Sequence, residues 1–312
     1  MTNPPELQVS AGGAIALPAA TAAGRKSPSR LFWERFKQDK AAVVGGVVVI
    51  LLIFIAFFGG PLAVSITGHP QNTPYSNMTD SFGVPLGPNS QFWFGADSAG
   101  RDLFVRTMYG ARTSLFVGGL AMVVSLAIGM TAGLVAGYFG GVTDAALMWV
   151  VDLVLTMPSL LLLIVLATVL PPSLLTIPLV IGAIGWTTFA RTVRGEVLSL
   201  RERDYIVAAR ALGASDRRII LRHLLPGVLP GVVVLAALGM SGAIVVDAGL
   251  SYLGLGVPLP TPSWGRMVSD AQTYIAVAPW LMLAPGVSIA LAVIGFNLIG
   301  YGLIDLIGRR HA

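Results

Sequence analysis

The sequence predicts an all-α polytopic membrane protein with six transmembrane helices. Three observations predict this class: 55% of the 312 residues are hydrophobic, 11% are charged, and the mean hydropathy is +0.79. Apolar runs of about 20 residues recur, and at about 1.5 Å per residue each run can cross a hydrocarbon core of ~30 Å. The chain has no cysteine, which excludes disulfides, thiolate nucleophiles and cysteine metal sites.

Two segments precede the first apolar run. Residues 1–30 are rich in Pro, Ala, Gly and Ser and lack a long apolar core, which predicts a disordered cytoplasmic tail and not a cleavable signal. Residues 31–40, LFWERFKQDK, alternate bulky apolar and charged side chains. This pattern is typical of an interfacial amphipathic helix, and a plain basic flank of the first span is the alternative.

The six spans follow the apolar runs in order. The first is predicted at 41–66 and is followed by a polar extracytoplasmic loop at 67–112, whose end turns helical from about Asp102. A five-helix core then occupies 113–306, and 307–312 form a second cytoplasmic tail. The spans of the core are predicted at 113–138, 145–170, 177–195, 227–250 and 280–306.

Orientation follows from the twenty Lys and Arg residues. With the N-terminus inside, sixteen of them lie inside and four outside. Because basic residues accumulate in cytoplasmic loops, both termini are predicted to be cytoplasmic. The inside residues are Arg25, Lys26, Arg30, Arg35, Lys37, Lys40, Arg191, Arg194, Arg201, Arg203, Arg210, Arg217, Arg218, Arg222, Arg309 and Arg310, and the outside residues are Arg101, Arg106, Arg112 and Arg266.

The longest predicted cytoplasmic loop, 196–226, contains the stretch AARALGASDRRIILRHLLP. Gly213 is placed to end one short helix in a left-handed conformation, and Ser215 can cap a second helix that Asp216 favours through the helix dipole. Pro226 marks the passage into the fifth span. The pattern predicts a helix–turn–helix hairpin whose small residues permit close approach and whose arginines can bind acidic groups. An ordinary basic cytoplasmic loop is the alternative for the arginines.

The hairpin resembles a known motif. Ala208 and Ala209 are followed after three residues by Gly213, and after nine more by the HLLP sequence that ends at Pro226. This spacing resembles the EAA loop of the membrane subunits of ABC importers. One position differs, because Val207 stands where that motif begins with glutamate.

Two further motifs, which follow the order found in one family of these importers, make the resemblance more specific. The stretches FGADSAGRDLFVRTMYGARTSLFVG at 94–118 and LSYLGLGVPLPTPSWGRMV at 250–268 resemble the C-type permease subunit of the oligopeptide/dipeptide/nickel importer family. The segment 31–50 fits as well, so the resemblance covers about residues 30–308. It implies a type I ABC importer permease fold with both termini in the cytoplasm.

The resemblance also implies a function and a set of partners. The chain is expected to be a non-enzymatic permease subunit of an ATP-driven peptide importer in the bacterial cytoplasmic membrane. A homologous B-type permease, two cytoplasmic ATPase domains that bind ATP and Mg²⁺, an extracytoplasmic substrate-binding protein and a peptide complete the expected assembly, with no nucleic acid. Nickel import by the same family and ion-coupled secondary transport are the alternatives.

The hairpin is the expected contact with the ATPase. The resemblance implies this role for the alanines, Gly213 and the segment to Pro226, whereas the arginines are chosen for their charge. About two of the four arginines are expected to make such contacts. The coupling residues are Ala208, Ala209, Arg210, Gly213, Asp216, Arg217, Arg218, Arg222 and Pro226.

Catalytic chemistry in this chain is not expected. None of its three lysines follows a glycine, so a Gly-Lys-Ser/Thr phosphate-binding loop is absent. The histidines His69, His223 and His311 fall in three separate segments, which predicts no metal site. No cofactor is therefore expected in the chain, and the energy must come from a separate protein.

Acidic residues provide the remaining candidates. Asp152 and Asp247 lie in predicted spans and could attract the ammonium group of a peptide; a helix-end carboxylate in water or one paired with an arginine is the alternative. In the 94–106 segment, Asp97, Arg101 and Asp102 could form an external gate or a dock for a binding protein. A helix capped by Asp97 or by the next residue, a serine, is the alternative there.

Overall fold

The computed structural model describes residue 34 and residues 37–308, with no side chains for 307 and 308. The predicted tail at 1–30 and most of the predicted tail at 307–312 lie outside the described residues. In the 31–40 segment, residues 34, 37 and 38 are helical and most of the others are not described. Asp39 caps the first long helix, since its carboxylate accepts the backbone N–H of Ala41 at 2.9 Å and of Ala42 at 3.1 Å.

The described residues form α-helices with no β-strand among them. A π-helical turn at Ile55–Gly59 joins α1 to α2, and another at Ile220–Leu224 joins α8 to α9. The helices are α1 (Lys40–Phe54), α2 (Gly60–Thr67), α3 (Leu103–Phe139), α4 (Gly141–Thr156), α5 (Ser159–Val169), α6 (Thr176–Leu200), α7 (Asp204–Ala211), α8 (Asp216–Ile219), α9 (Leu225–Tyr252), α10 (Trp264–Ala271) and α11 (Trp280–Gly308).

Helices α3 and α6 form the centre of the bundle and run in the same direction. Gly129, Gly133 and Gly137, each four residues apart, face α6 along one side of α3. A Cβ atom at Gly133 would lie 2.7 Å from the Ala190 carbonyl oxygen. Small residues at this spacing let two membrane helices approach closely.

The bundle has two distinct ends. The loop end consists of residues 68–102, the start of α3 at 103–112, the α9–α10 connection and α10. The hairpin end carries α7, the turn 212–215, α8 and the π-helical turn at Ile220–Leu224, which together are called the hairpin. Gly302 of α11 contacts Ala42 of α1, and Leu303 and Leu306 of α11 pack against Val234 in the half of α9 that follows the hairpin. The described core therefore begins and ends on the side of the hairpin.

Four continuous segments are long and apolar enough to cross a membrane, and the bent pair α4–α5 is a fifth candidate. The sequence predicts six. Helix α6 has 25 residues, but Arg191, Arg194 and Glu196 make its second half polar, and it is not among these segments. The four segments are Lys40–Thr67, Leu103–Phe139, Asp216–Tyr252 and Trp280–Leu306.

The prediction of a single helix across 145–170 is wrong. Helices α4 and α5 meet at an angle of 88°, with Met157 and Pro158 between them. The proline ring clashes with a helical conformation of the residue before it, and Met157 has an extended backbone with ψ of 135°. The chain therefore turns sharply halfway along this predicted span.

Two predicted helix starts agree with the structure. Helix α3 begins at Leu103, as expected for a loop whose end turns helical from about Asp102, and it continues without a break through the predicted span at 113–138. Helix α9 begins at Leu225, so the predicted passage into the fifth span near Pro226 is present, and the helical segment continues from Asp216 to Tyr252 through the π-helical turn. The hairpin is therefore joined to α9 without a flexible link.

Candidate functional site

The turn of the hairpin depends on Gly213. Its φ is +79°, a left-handed value that L-residues other than glycine rarely adopt. Gly213 N–H donates to the Arg210 carbonyl at 3.0 Å and Ala214 N–H to the Ala209 carbonyl at 3.1 Å, which closes the end of α7. Ser215 occupies the cap position of α8, but the predicted side-chain cap is wrong, since its hydroxyl makes no capping hydrogen bond.

The underside of the hairpin is part of the hydrophobic core. Ile206, Ile219 and Leu224 are fully buried and join one cluster with Val193 and Val197 of α6. Burial of side chains this size contributes about 1.5–3 kcal/mol each. The hairpin is therefore held to the bundle as a rigid extension of α6 and α9.

Polar contacts also join the hairpin end to α3. The Tyr138 hydroxyl, near the end of α3, donates to the Asp216 carboxylate at 2.6 Å. The Arg210 guanidinium lies 5.4 Å from the centre of the same ring, within cation–π range. Arg201 donates to the Gly137 carbonyl at 2.9 Å. Sequence reasoning missed Tyr138, although a tyrosine as the last residue of a predicted span is typical of a membrane boundary.

The tip of the hairpin is open. Leu212 is 88% exposed, and Val207 and Ala208 are exposed as well. Among the described residues no acidic side chain pairs with the exposed arginines of α8 and the following turn, Arg217, Arg218 and Arg222. The tip thus offers apolar contact surface and unpaired positive charge.

At the loop end, Asp97 organises a buried charge cluster. Its carboxylate accepts from Arg101 Nε at 2.7 Å and lies 3.0 Å from Nε of Arg106, which is 1% exposed. It also accepts the backbone N–H of Ala99 at 2.9 Å and of Arg101 at 3.0 Å. The alternative that Asp97 or its neighbour Ser98 caps the helix is wrong, because Asp97 closes its own turn.

Asp102 is the residue that caps α3. Its carboxylate accepts the Val105 N–H at 3.1 Å and lies 2.7 Å from Nδ1 of His69. The His69 ring stacks on Phe92 with the ring centres 4.3 Å apart. Tyr75 completes this aromatic group, and burial and the Asp102 carboxylate both raise the pKa of its phenol. Sequence reasoning missed His69, which is 33 residues away from its partner.

A cavity of about 710 Å³ lies between α3, the α4–α5 break, α6 and α9. Its wall is mostly aliphatic, and its hydroxyl-bearing residues are Ser125, Ser159, Thr187 and Thr188. Such a wall is electrically neutral and offers few directional contacts. Neither Asp152 nor Asp247 lines it.

The two acidic candidates for the pathway differ in their exposure and in their partners. Asp152 is exposed, and its carboxylate accepts a hydrogen bond from Arg191 at 2.6 Å. This is the arrangement that the alternative of a carboxylate paired with an arginine predicts. Asp247 is 1% exposed, and its Oδ1 has no hydrogen-bond partner among the described residues. For Asp247 the alternatives of a carboxylate in water or beside an arginine are therefore wrong.

Two families match the sequence. The family described as "Binding-protein-dependent transport system inner membrane component" matches residues 129–312, and "N-terminal TM domain of oligopeptide transport permease C" matches residues 27–84. Together the two matched ranges cover the beginning and the end of the helical core.

Individual relatives match over most of their length. The chain is 42% identical over 284 residues to the dipeptide transport system permease protein DppC of Alkalihalophilus pseudofirmus, covering 91% of this chain and 90% of that protein. It is 38% identical over 277 residues to the oligopeptide transport system permease protein OppC of Bacillus subtilis, with 88% of each covered. It is 37% identical over 287 residues to the glutathione transport system permease protein GsiD of Pectobacterium atrosepticum, covering 91% and 92%.

Proposed function

This chain belongs to the family of binding-protein-dependent transport system inner membrane components, and on that premise we propose that it is the C-type permease subunit of an ATP-driven peptide importer. It is a multi-pass protein of the bacterial inner membrane. The relatives described above are named for dipeptide, oligopeptide and glutathione transport, and this favours a peptide over nickel as the substrate.

The hairpin end is the cytoplasmic side in this proposal. The predicted excess of basic residues on that side supports the orientation, and it makes both tails, 1–30 and 307–312, cytoplasmic. Helix α6 also crosses the membrane in this proposal, which brings the number of crossings to six. Its close contact with α3 along the glycine stripe supports a place inside the bundle, where Arg194 binds Asp144 of α4 with Nη2 to Oδ2 at 2.6 Å.

The observation that carries the coupling role is a hairpin that is open at its tip and buried at its underside. An ATPase domain could bind the exposed apolar tip and the unpaired arginines. A movement of that domain would then pass through Ile206, Ile219 and the Tyr138–Asp216 hydrogen bond into α3 and α6. ATP and Mg²⁺ belong to the ATPase subunits, and this chain contributes no catalytic residue.

A homologous B-type permease would complete the pore, and an extracytoplasmic binding protein would deliver the peptide. The cluster of Asp97, Arg101 and Asp102 would then form a rigid support at the external surface, since these groups already bind partners within the chain. The neutral cavity between α3, α6 and α9 suits a peptide backbone of varied sequence. Asp152→Asn and Asp247→Asn test roles of these carboxylates in the pathway, and unchanged uptake with unchanged substrate preference would exclude such roles.

Reconstitution tests the function. The chain would be assembled with its B-type permease, ATPase subunits and binding protein in proteoliposomes. We expect ATP-dependent uptake of labelled dipeptides, oligopeptides or glutathione, and no uptake of Ni²⁺. Omitting the ATPase subunits should abolish uptake. Transport by this chain alone, driven by an ion gradient without ATP, would overturn the proposal and indicate a secondary transporter.

A further inference from the structure

Charges at the loop end are almost all paired within the described residues. Each basic group there other than Arg112 has an acidic partner at 3.0 Å or less. Arg112 is exposed and has neither an ion pair nor a hydrogen bond to any described residue. The paired groups are Arg101 and Arg106 with Asp97, His69 with Asp102, and Arg266 with Asp270.

The position of Arg112 makes a free cation unexpected. It lies in α3, nine residues after the helix begins at Leu103, in a segment apolar enough to cross a membrane. A charged side chain in such a segment is costly and usually faces water or a charged group. An unpaired arginine at this place therefore indicates a partner from outside the described chain.

Arg112 lines a cavity of about 350 Å³ at the loop end. It is the only charged side chain in that lining. The Oε1 atom of Gln71, another lining residue, is buried and accepts no hydrogen bond from any described residue. The cavity thus presents one unpaired cation and one unpaired acceptor. Its other polar side chains are Asn72, Tyr109, Thr113 and Thr261.

This cavity opens beside a free face of α3. Arg112, Phe116, Val123, Ala127 and Thr131 are all exposed, and their spacing places them on one side of the helix. In a pore shared by two permease subunits, an uncovered helix face of this kind would line the space between them. Arg112 is the member of the stripe nearest the loop end, which is the external mouth in the proposed orientation.

We propose that Arg112 binds the C-terminal carboxylate of the incoming peptide, while Gln71 Oε1 accepts an amide N–H from its last residues. The inference rests on the proposed function. A guanidinium matches a carboxylate with two parallel hydrogen bonds, and a peptide end has an N–H donor next to its carboxylate. The cavity is at the small end of the range for ligand sites, so it accommodates the end of a peptide and not a whole oligopeptide.

The test compares one labelled peptide in two forms, with a free C-terminal acid and with a C-terminal amide. Uptake is measured in proteoliposomes that hold the complete importer. In Arg112→Gln, uptake of the acid should fall on the order of tenfold, as expected for a lost hydrogen bond between charged groups, while uptake of the amide stays as in the wild type. The binding protein is the same in every assay, so its own preference cancels when the acid-to-amide ratio of a variant is divided by that of the wild type.

Two further variants of Arg112 and one control variant keep the result interpretable. Arg112→Lys keeps the charge but not the paired geometry, so it should retain an intermediate ratio. Arg112→Glu should favour the amide over the acid. Arg266→Gln, at an arginine already paired with Asp270, is the matched control and should leave the ratio unchanged. The amount of assembled complex is measured for each variant.

Several outcomes would overturn the inference. An equal loss of acid and amide uptake in Arg112→Gln would mean that Arg112 contacts a carboxylate of the partner permease or of the binding protein. An unchanged ratio in both Arg112→Gln and Arg112→Glu would mean that the arginine extends to the lipid headgroups. Absence of any ATP-dependent peptide uptake by the wild type would instead overturn the proposed function, and this inference with it.

Discussion

At the loop end, Arg106 is buried with its guanidinium 3.0 Å from the Asp97 carboxylate, whereas at the hairpin end Arg217, Arg218 and Arg222 are exposed and unpaired among the described residues. The same residue type therefore serves two purposes. Removing a charge from water is costly unless a partner of opposite sign is close, so the buried cluster must be complete within the chain. The exposed arginines carry no such cost and remain available to another protein.

The two ends also differ in how they are held. The loop end is held by ion pairs and stacked rings between residues far apart in sequence, such as His69 with Asp102 and with Phe92. The hairpin is held by apolar side chains beneath it and by one hydrogen bond from Tyr138. Substitutions of the paired groups at the loop end should therefore mainly change stability, whereas substitutions at the hairpin end should mainly change communication with a partner.

Asp97→Ala should have the largest effect on stability. It leaves Arg106 buried without its carboxylate, and breaking a buried ion pair in this way costs about 3–5 kcal/mol. The thermal unfolding midpoint of the purified permease pair measures it. Asp152→Ala, which breaks the exposed pair with Arg191, is the control and should cost about 0–1 kcal/mol. Equal losses in the two variants would contradict the distinction between the buried and exposed charges.

Gly213→Val should have an intermediate effect on stability and a large one on coupling. A left-handed backbone costs L-residues about 1–2 kcal/mol, and an added Cβ would meet nothing within 4 Å, so the effect comes from the backbone alone. ATP hydrolysis should continue while peptide uptake falls. Gly68→Val is the matched control, because Gly68 has φ of +74° and the same open surroundings at the loop end. It should lose similar stability and keep coupling; wild-type uptake in Gly213→Val would remove the role assigned to the turn.

Tyr138→Phe should have a smaller effect. It removes the hydrogen bond to the exposed Asp216 and keeps the ring beneath Arg210, at a net cost of about 1 kcal/mol. The number of peptides transported per ATP should fall. Adding Asp216→Asn should cost little more, because both changes remove the same contact. Tyr301→Phe, at an exposed ring, is the control; the same loss of coupling there would show that the hydroxyl of Tyr138 is not the link.

Most of the correct predictions came from local patterns in the sequence. The helices at Lys40–Thr67 and Trp280–Leu306 occupy the places of long apolar runs, and the left-handed Gly213 follows from a glycine placed after a short helical stretch. The break at Pro158 could also have been predicted, because proline restricts the backbone of the residue before it. It was missed because the apolar run continues on both sides of the proline, which favours a single span.

Contacts between distant residues could not be predicted. The pairing of Asp102 with His69 and the bond from Tyr138 to Asp216 join residues 33 and 78 positions apart. Nothing in the local sequence relates them, because the fold alone brings them together. The same holds for Arg112: topology assigned it to the external side, but only the paired state of its neighbours reveals it as free.

Alanine substitution of the four hairpin arginines should have the smallest effect on stability, within about 0.5 kcal/mol for Arg217, Arg218 and Arg222. Arg210 should lose slightly more, since its guanidinium lies over the Tyr138 ring. Binding of the ATPase subunits should weaken in about two of the four variants, and the weakening should shrink at high salt, where exposed charges are screened. Lys37→Ala, exposed but outside the hairpin, is the control. If all four variants bind the ATPase like the wild type at low salt, the exposed apolar tip around Leu212 must provide the contact, and the charges at this end serve only orientation in the membrane.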